Sequence, residues 1–475
     1  MKIRIFLSKR KKEIMILSFL SAISFLLLLT FRYGNDFYWH LKAGEYMVDH
    51  HTILKTDPFS WYLKSFHPLW ISHEWLFEVV LHGISVLFGK FGPLLLVFLS
   101  LISLLLILYF TNYKAFHKNI YYTLFWLCSS SVLTLNTLPR PFLFSNLLLA
   151  LTFYLLYDLK EHECSKKIYF LPFFACLWAN VHGGSSNLSY ILIFAFYFCG
   201  LFHFSFGKIT SSSYTPLQKK KYLSVFFFTL VAICINPHGI KMLMYPYQNM
   251  NDAFMLATIS EWQSINFNDS SSLLYLFMLS SFFLPLIISK KKIELVDFLI
   301  VLMFSFLGFK SIRFWPLSFI ALTYVGFHYV SSYHRRLVIF DRSLILLSFG
   351  IIIFSICCFQ MPKYDLFDPM FIHILKEEKP KRLYNYYNYG GYLISHDIPV
   401  FIDSRADLYS KYNYQDSYNL SVLRGPYEDL LKKYDFDYLI LDKGSPLAYY
   451  LSKSLQYELV LDKKNTVLYR KKEGR

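Results

Sequence analysis

About eleven apolar runs of helical length, separated by short polar or basic connections, fill the first three quarters of the chain. They fall at 14–31, 93–113, 121–138, 142–157, 168–178, 188–206, 222–235, 273–289, 295–309, 315–330 and 344–359. Because an α-helix rises about 1.5 Å per residue, a run of about twenty residues crosses about 30 Å of hydrocarbon. The pattern therefore predicts an α-helical polytopic membrane protein with about eleven spans. The runs at 168–178 and 222–235 are short for that thickness and are expected to tilt or break. A further run at 76–89 has the length of a helix lying in the membrane interface rather than crossing it.

Basic residues set the sidedness. If 76–89 crossed, Lys114, Lys118 and every later basic connection would face outward, against the bias of Lys and Arg toward cytoplasmic loops. With eleven crossings and a cytoplasmic N-terminus, four clusters fall inside: Lys160/Lys166/Lys167, Lys208 with Lys219 to Lys221, Lys290 to Lys292, and Arg335/Arg336. The basic stretch 2–12 and the long run after it lack a small-residue cleavage site, so they read as an uncleaved first span. The outer connections are then 32–75, 136–141, 179–187, 236–272, 310–314 and the C-terminal tail.

From about residue 362 the composition turns Tyr- and charge-rich. A strand at 382–386, a helix opened by Gly390-Gly391 at 392–396, a strand at 400–403, a helix at 427–434, a strand at 437–441, a helix at 446–454 and a hairpin at 458–469 predict a small α/β extracytoplasmic domain. The expected organisation is a membrane domain, 1–361, that includes the outer loop 32–75 and the interfacial helix 76–89, followed by a soluble α/β domain, 362–475.

Hydrophobic residues make up 55% of the chain and aromatic residues 20%, which excludes a soluble protein. The formal net charge of +16 is split into short clusters between apolar runs. A nucleic-acid partner needs a continuous basic face, and none is expected. Seven cysteines sit in apolar runs or one basic loop without metal-like spacing, so neither a structural disulfide nor a cysteine metal site is expected.

Ionisable residues gather at the outer ends of the runs: Asp36, His40, Asp57, His73, Glu74, Arg140, His182, His238, Glu261 and Arg313. Such groups beside lipid are costly unless they pair or line a wet cavity, so their shared side is informative. They are expected to converge in one extracytoplasmic hollow.

Asp36, in Gly34-Asn35-Asp36-Phe37-Tyr38-Trp39-His40, reads as a general base, a metal ligand or an ordinary headgroup-level carboxylate. Glu74 is the second catalytic candidate. With His73 it also suits the cap and first turn of the interfacial helix. Asp57-Pro58 is a turn signal as well as a candidate ligand. Arg140, between two prolines, and Arg313 suit a substrate phosphate, or snorkel to headgroups. His182 precedes Gly183-Gly184, which permit close backbone approach. His238 lies in Asn236-Pro237-His238-Gly239, and Glu261 precedes Trp262. The histidines and carboxylates leave room for a divalent metal, but no HxxxH-like spacing specifies one. Asp403 and Arg405 follow an apolar strand at 400–403, where open α/β sheets bind ligands, and equally suit a structural ion pair.

The segments 36–44, 72–75, 178–184, 236–239, 261–264 and 390–407, with Arg140-Pro141, resemble those of a largely uncharacterised bacterial group of GT-C integral-membrane glycosyltransferases. The resemblance spans nearly the whole chain, through short motifs. It implies a sugar donor carried on a polyprenyl phosphate and an inverting transfer in which the first-loop carboxylate, Asp36 here, is central. Protein-mannosyltransferase-type relatives carry Asp-Glu after the first span. This chain has Asn35-Asp36, and no metal is assigned on that pattern.

The leading expectation is a bacterial inner-membrane hexosyl- or pentosyltransferase moving a sugar from a polyprenyl-phosphate donor to a glycan or lipid acceptor of the envelope. Its other partner is the bilayer itself, and no cofactor is assigned, with a divalent metal left open. The alternatives are an envelope scaffold and a lipid-linked-sugar transporter or flippase, which calls for ionisable groups at mid-membrane, whereas the runs here are nearly free of charge apart from Asp297, which lies near a cytoplasmic end and is expected at the interface.

Overall fold

Each of the eleven apolar runs carries a helix in the computed structural model, which describes residues 11–113, 120–249, 252–330 and 341–472. They are Lys11–Leu28, Phe91–Thr111, Ile120–Ser129, Phe142–Glu161, Leu171–Val181, Asn187–Cys199, Pro216–Ile233, Ser271–Ile288, Leu295–Lys310, Trp315–Val330 and Asp341–Cys358. Among the described residues, Phe91–Thr111, Phe142–Glu161 and Ser271–Ile288 are both long and apolar enough to cross a membrane. Leu171–Val181 and Asn187–Cys199 have only 11 and 13 residues, short of the roughly twenty that a crossing takes. The helix lengths establish three candidate spans, not eleven. Lys114, Lys118, Arg335, Arg336 and the start of the N-terminal basic stretch lie outside the described residues.

The described residues of 1–32, 90–250 and 256–361 form one compact unit, and those of 33–89, 251–255 and 362–475 form another. The first outer loop and the interfacial helix fall in the same compact unit as the C-terminal segment.

Two features of the first unit depart from the sequence reading. The run expected to stay helical to 206 ends at Cys199, and Phe204–Phe206 forms a strand antiparallel to Ile209–Ser211, with Ile293–Glu294 added in parallel. Asp297, placed from sequence near a span end, does lie in the first turn of Leu295–Lys310, but it is completely buried by protein. It accepts hydrogen bonds from the Tyr157 and Tyr329 hydroxyls at 2.6 and 2.8 Å, with Lys160 Nζ at 3.9 Å. Two tyrosines from helices distant in sequence satisfy this carboxylate, and local pattern cannot reveal them.

In the second unit the supposed first loop contains the Asn35–Asp49 helix, which packs on Trp75–Phe88. Gly44 marks the crossing. A Cβ there would lie 2.1 Å from the Glu78 carbonyl oxygen and 2.9 Å from His82 Cβ, so only glycine lets the helices meet. Gly44→Ala is expected to force them apart and cost about 1–3 kcal/mol, the range for overpacking. Denaturant unfolding of the detergent-solubilised protein, followed through this unit's tryptophans, measures the loss.

The C-terminal segment builds a four-stranded sheet in the order Leu383–Asn385, Tyr438–Asp442, Thr466–Lys471, Tyr457–Lys463. The first pair is parallel and the others antiparallel. Helices Pro369–Glu378, Tyr414–Val422, Tyr427–Tyr434 and Pro446–Lys453 accompany it. The expected strand at 400–403 does not join the sheet. Val400 instead exchanges backbone hydrogen bonds with Phe59 and Trp61, at 3.1 Å each. The Asn385 side chain accepts from the Phe401 N–H at 2.9 Å and donates to the Ile402 carbonyl at 2.7 Å, while Asn413 donates to the Phe401 carbonyl at 2.7 Å. Two asparagine amides thus replace a neighbouring strand for a fully buried backbone.

Candidate functional site

In the second unit, Asp36 occupies the first turn of Asn35–Asp49, where the positive end of the helix dipole favours a carboxylate. It is partly exposed. The Gly390-Gly391 pair draws the chain in around it. A Cβ on Gly391 would meet the Asn35 carbonyl oxygen at 2.6 Å, and one on Gly390 the Ile402 carbonyl oxygen at 2.3 Å. Nearby, the Tyr387 phenol is held well above its ordinary range by burial first, then by Tyr414 and the carboxylates Asp36, Asp403 and Asp407.

One turn further along the same helix face, His40 lies between two glutamates of the neighbouring helix. Its Nδ1 is 3.3 Å from Glu78 Oε1, and its Nε2 is 3.6 Å from Glu74 Oε2. The Trp39 ring lies 3.7 Å from the imidazole, centroid to centroid. Ser72 Oγ donates to Glu78 Oε2 at 3.3 Å. Glu74 holds the N-cap position of Trp75–Phe88 without making a side-chain cap bond. Its carboxylate turns to His40 and His73 instead, with His73 Nε2 3.1 Å from Oε1, so Glu74 holds the expected cap position at the positive end of the helix dipole without a cap hydrogen bond. Burial pushes the Glu78 carboxyl up, against the pull of His40. For His73 burial acts to lower the imidazole value, but Glu74 and Asp407 outweigh it and the net shift is upward. Glu78 was missed in the sequence; its signal is that it is the sole carboxylate in the apolar run 76–89.

Asp57, Asp403 and Arg405 meet in a buried network. The Arg405 guanidinium donates to Asp403 through Nε at 2.8 Å and Nη2 at 2.6 Å, and to Asp57 through Nη1 at 2.8 Å. Tyr409 donates its hydroxyl to Asp403 Oδ2 at 2.6 Å, and the Trp70 ring lies 4.6 Å from the guanidinium carbon. Asp57 also accepts from the Phe59 and Ser60 N–H groups at 3.2 and 2.9 Å, the expected turn. Of the readings open in the sequence, this geometry supports the structural one for all three residues.

In the first unit, Arg140 Nη1 lies 2.7 Å from Glu261 Oε1. The Glu261 backbone carbonyl accepts from Ser311 Oγ at 2.6 Å, and the Arg313 guanidinium stacks over Trp262 at 5.0 Å. Burial acts to raise the Glu261 carboxyl, but Arg140, Arg313 and Arg32 together hold it below its ordinary range. Three cations thus address one carboxylate. Arg32 escaped the sequence reading because it looks like the ordinary basic flank of an apolar run.

His182 sits in a hydroxyl network, with Ser145 Oγ 2.6 Å and Ser185 Oγ 3.0 Å from Nδ1, while Trp178 donates its indole N–H to Ser145 at 2.8 Å. His238 lies in a turn closed by Asn236, whose side chain accepts from the His238 N–H at 2.7 Å and donates to the Gly239 carbonyl at 3.2 Å.

No family model and no curated protein sequence matches the chain. Two solved structures of the oligosaccharyltransferase of Archaeoglobus fulgidus do match it. The form tethered by a disulfide to an acceptor peptide with the NVT sequon is 12% identical, with 92% of this chain and 70% of that chain covered at a TM-score of 0.53. The apo form is 11% identical, with 91% and 69% covered at the same TM-score. At such identity the likeness is one of fold, and the chain has a GT-C-like, oligosaccharyltransferase-type fold.

Proposed function

We propose that this protein is a glycosyltransferase that takes a sugar from a polyprenyl-phosphate donor and passes it to an envelope or lipid-linked acceptor on the outer face of a bacterial inner membrane. The observation that carries the reading is the positive charge around Glu261, which pairs with Arg140 at 2.7 Å and is held below its ordinary range by the fields of Arg140, Arg313 and Arg32. A phosphate, with more charge and more acceptor oxygens, suits such a group better than one glutamate does. The GT-C-like fold supports the same reading.

In the proposed reaction the acceptor oxygen or nitrogen attacks the sugar C1 while the bond from C1 to the phosphate oxygen breaks. The phosphate leaves with the electron pair, held by Arg140 and Arg313, and the acceptor's proton passes to a carboxylate base. The sequence offers Asp36 and Glu74 as candidates for that base. The proposal places the N-terminus on the cytoplasmic side and the second unit outside, following the bias of basic connections toward the cytoplasm.

Arg140→Gln and Arg313→Gln each remove one charged hydrogen-bond donor, worth about 1.5–3 kcal/mol when its partner is charged. Each is expected to raise the KM for a polyprenyl-phosphate sugar about 10- to 100-fold. Initial rates with labelled donor in detergent check this. If both variants keep the wild-type KM, the phosphate assignment falls.

A further inference from the structure

His40, Glu74 and Glu78 all belong to the second unit, and their ligand-capable atoms lie within 4.8 Å of one another. The three residues are 2%, 7% and 1% exposed. Two helices bring them together: His40 comes from Asn35–Asp49, Glu78 from Trp75–Phe88, and Glu74 from the N-cap of the latter. Gly44 sets the approach of those helices against the backbone of Glu78 itself.

We propose that His40, Glu74 and Glu78 bind a divalent first-row transition ion such as zinc or manganese. One imidazole nitrogen and two carboxylates form a donor set that suits these ions. Taken one ligand atom per residue, the three lie within 4.8 Å of one another, and with bonds of about 2.0–2.2 Å a shift of a few tenths of an ångström brings them around one centre. An outer layer is in place. Ser72 holds the far oxygen of Glu78, His73 holds the far oxygen of Glu74, and the Trp39 and Phe77 rings flank the imidazole. Outer partners of this kind orient ligands and control solvent access. His40 and Glu74 lie within the 36–44 and 72–75 segments, yet Glu78 lies outside both, so no motif spacing announces the set.

The inference does not depend on the glycosyltransferase reading, and its test does not use transfer activity. Full-length protein, stripped with chelator in detergent, is titrated with Zn²⁺ or Mn²⁺ while bound metal and thermal unfolding are followed. One equivalent is expected to bind and to raise the unfolding temperature, as a ligand of the native state must. Glu78→Gln is expected to abolish that equivalent. Ser72→Ala, which keeps all three ligands, is expected to weaken it about 10- to 100-fold. Pulsed EPR of the Mn²⁺-loaded wild type is expected to show coupling to one imidazole nitrogen, a readout that holds even where a variant fails to fold. Absence of a bound equivalent, an equivalent retained in folded Glu78→Gln, or a manganese signal without nitrogen coupling overturns the proposal.

Discussion

Replacing Asp36 with Asn is expected to lower the turnover of sugar transfer about 10²- to 10⁴-fold, the usual contribution of a positioned general base. The amide keeps the shape of the side chain and cannot accept the acceptor's proton. Asp36 lies in the first turn of Asn35–Asp49 and is partly exposed, and the helix-dipole interaction that its charge makes there is worth about 0.3–1 kcal/mol. The expected signature is therefore a fall in kcat with an almost unchanged KM for the lipid donor and an almost unchanged unfolding transition. Asp36→Glu, which retains a base but displaces it, should fall in between. Full transfer by a well-folded Asp36→Asn protein removes this residue from the chemistry.

The second large effect belongs to Arg405. Its guanidinium is the cation that the buried carboxylates of Asp403 and Asp57 share, so Arg405→Met leaves two buried anions without their counter-charge. Breaking one side of a buried pair costs about 3–5 kcal/mol, and the second unit is expected to lose most of its stability. Limited proteolysis and tryptophan fluorescence report this directly. Adding Asp57→Asn to Arg405→Met should recover part of the loss, because one stranded charge is gone. Both variants are compared in a double-mutant cycle. A fully additive cycle means that Asp57 and Arg405 are not coupled.

Periodicity made the helices legible, since each apolar run carries one. It also located the sheet strands at 383–385, 438–442 and 457–471 to within a residue or two. Three things could not be read from it. Asn35–Asp49 is a helix whose buried face is mostly aromatic, with Phe37, Tyr38 and Trp39 in succession, so its periodicity is blurred. The 400–403 segment has the apolar character of a sheet strand, but its backbone is satisfied by the amides of Asn385 and Asn413 and by Phe59 and Trp61, partners far away in sequence. Arg405 and Asp57 are separated by 348 positions, and only the folded chain shows that they meet. For the candidate site, chemical type was readable and grouping was not: Glu78 and Arg32 carried only weak local signals, while Asp57, Asp403 and Arg405 proved to bind one another.

The pairing of Val400 with Phe59 and Trp61 has a consequence for biogenesis. A nascent chain emits the first partner of this contact several hundred residues before the second, and long-range closures of this type are slow to form. Until the ribosome has delivered the final quarter of the polypeptide, the early segment waits with its backbone unpaired and its aromatic side chains uncovered. The interval of synthesis in between is when the protein is most exposed to proteases and to chaperones.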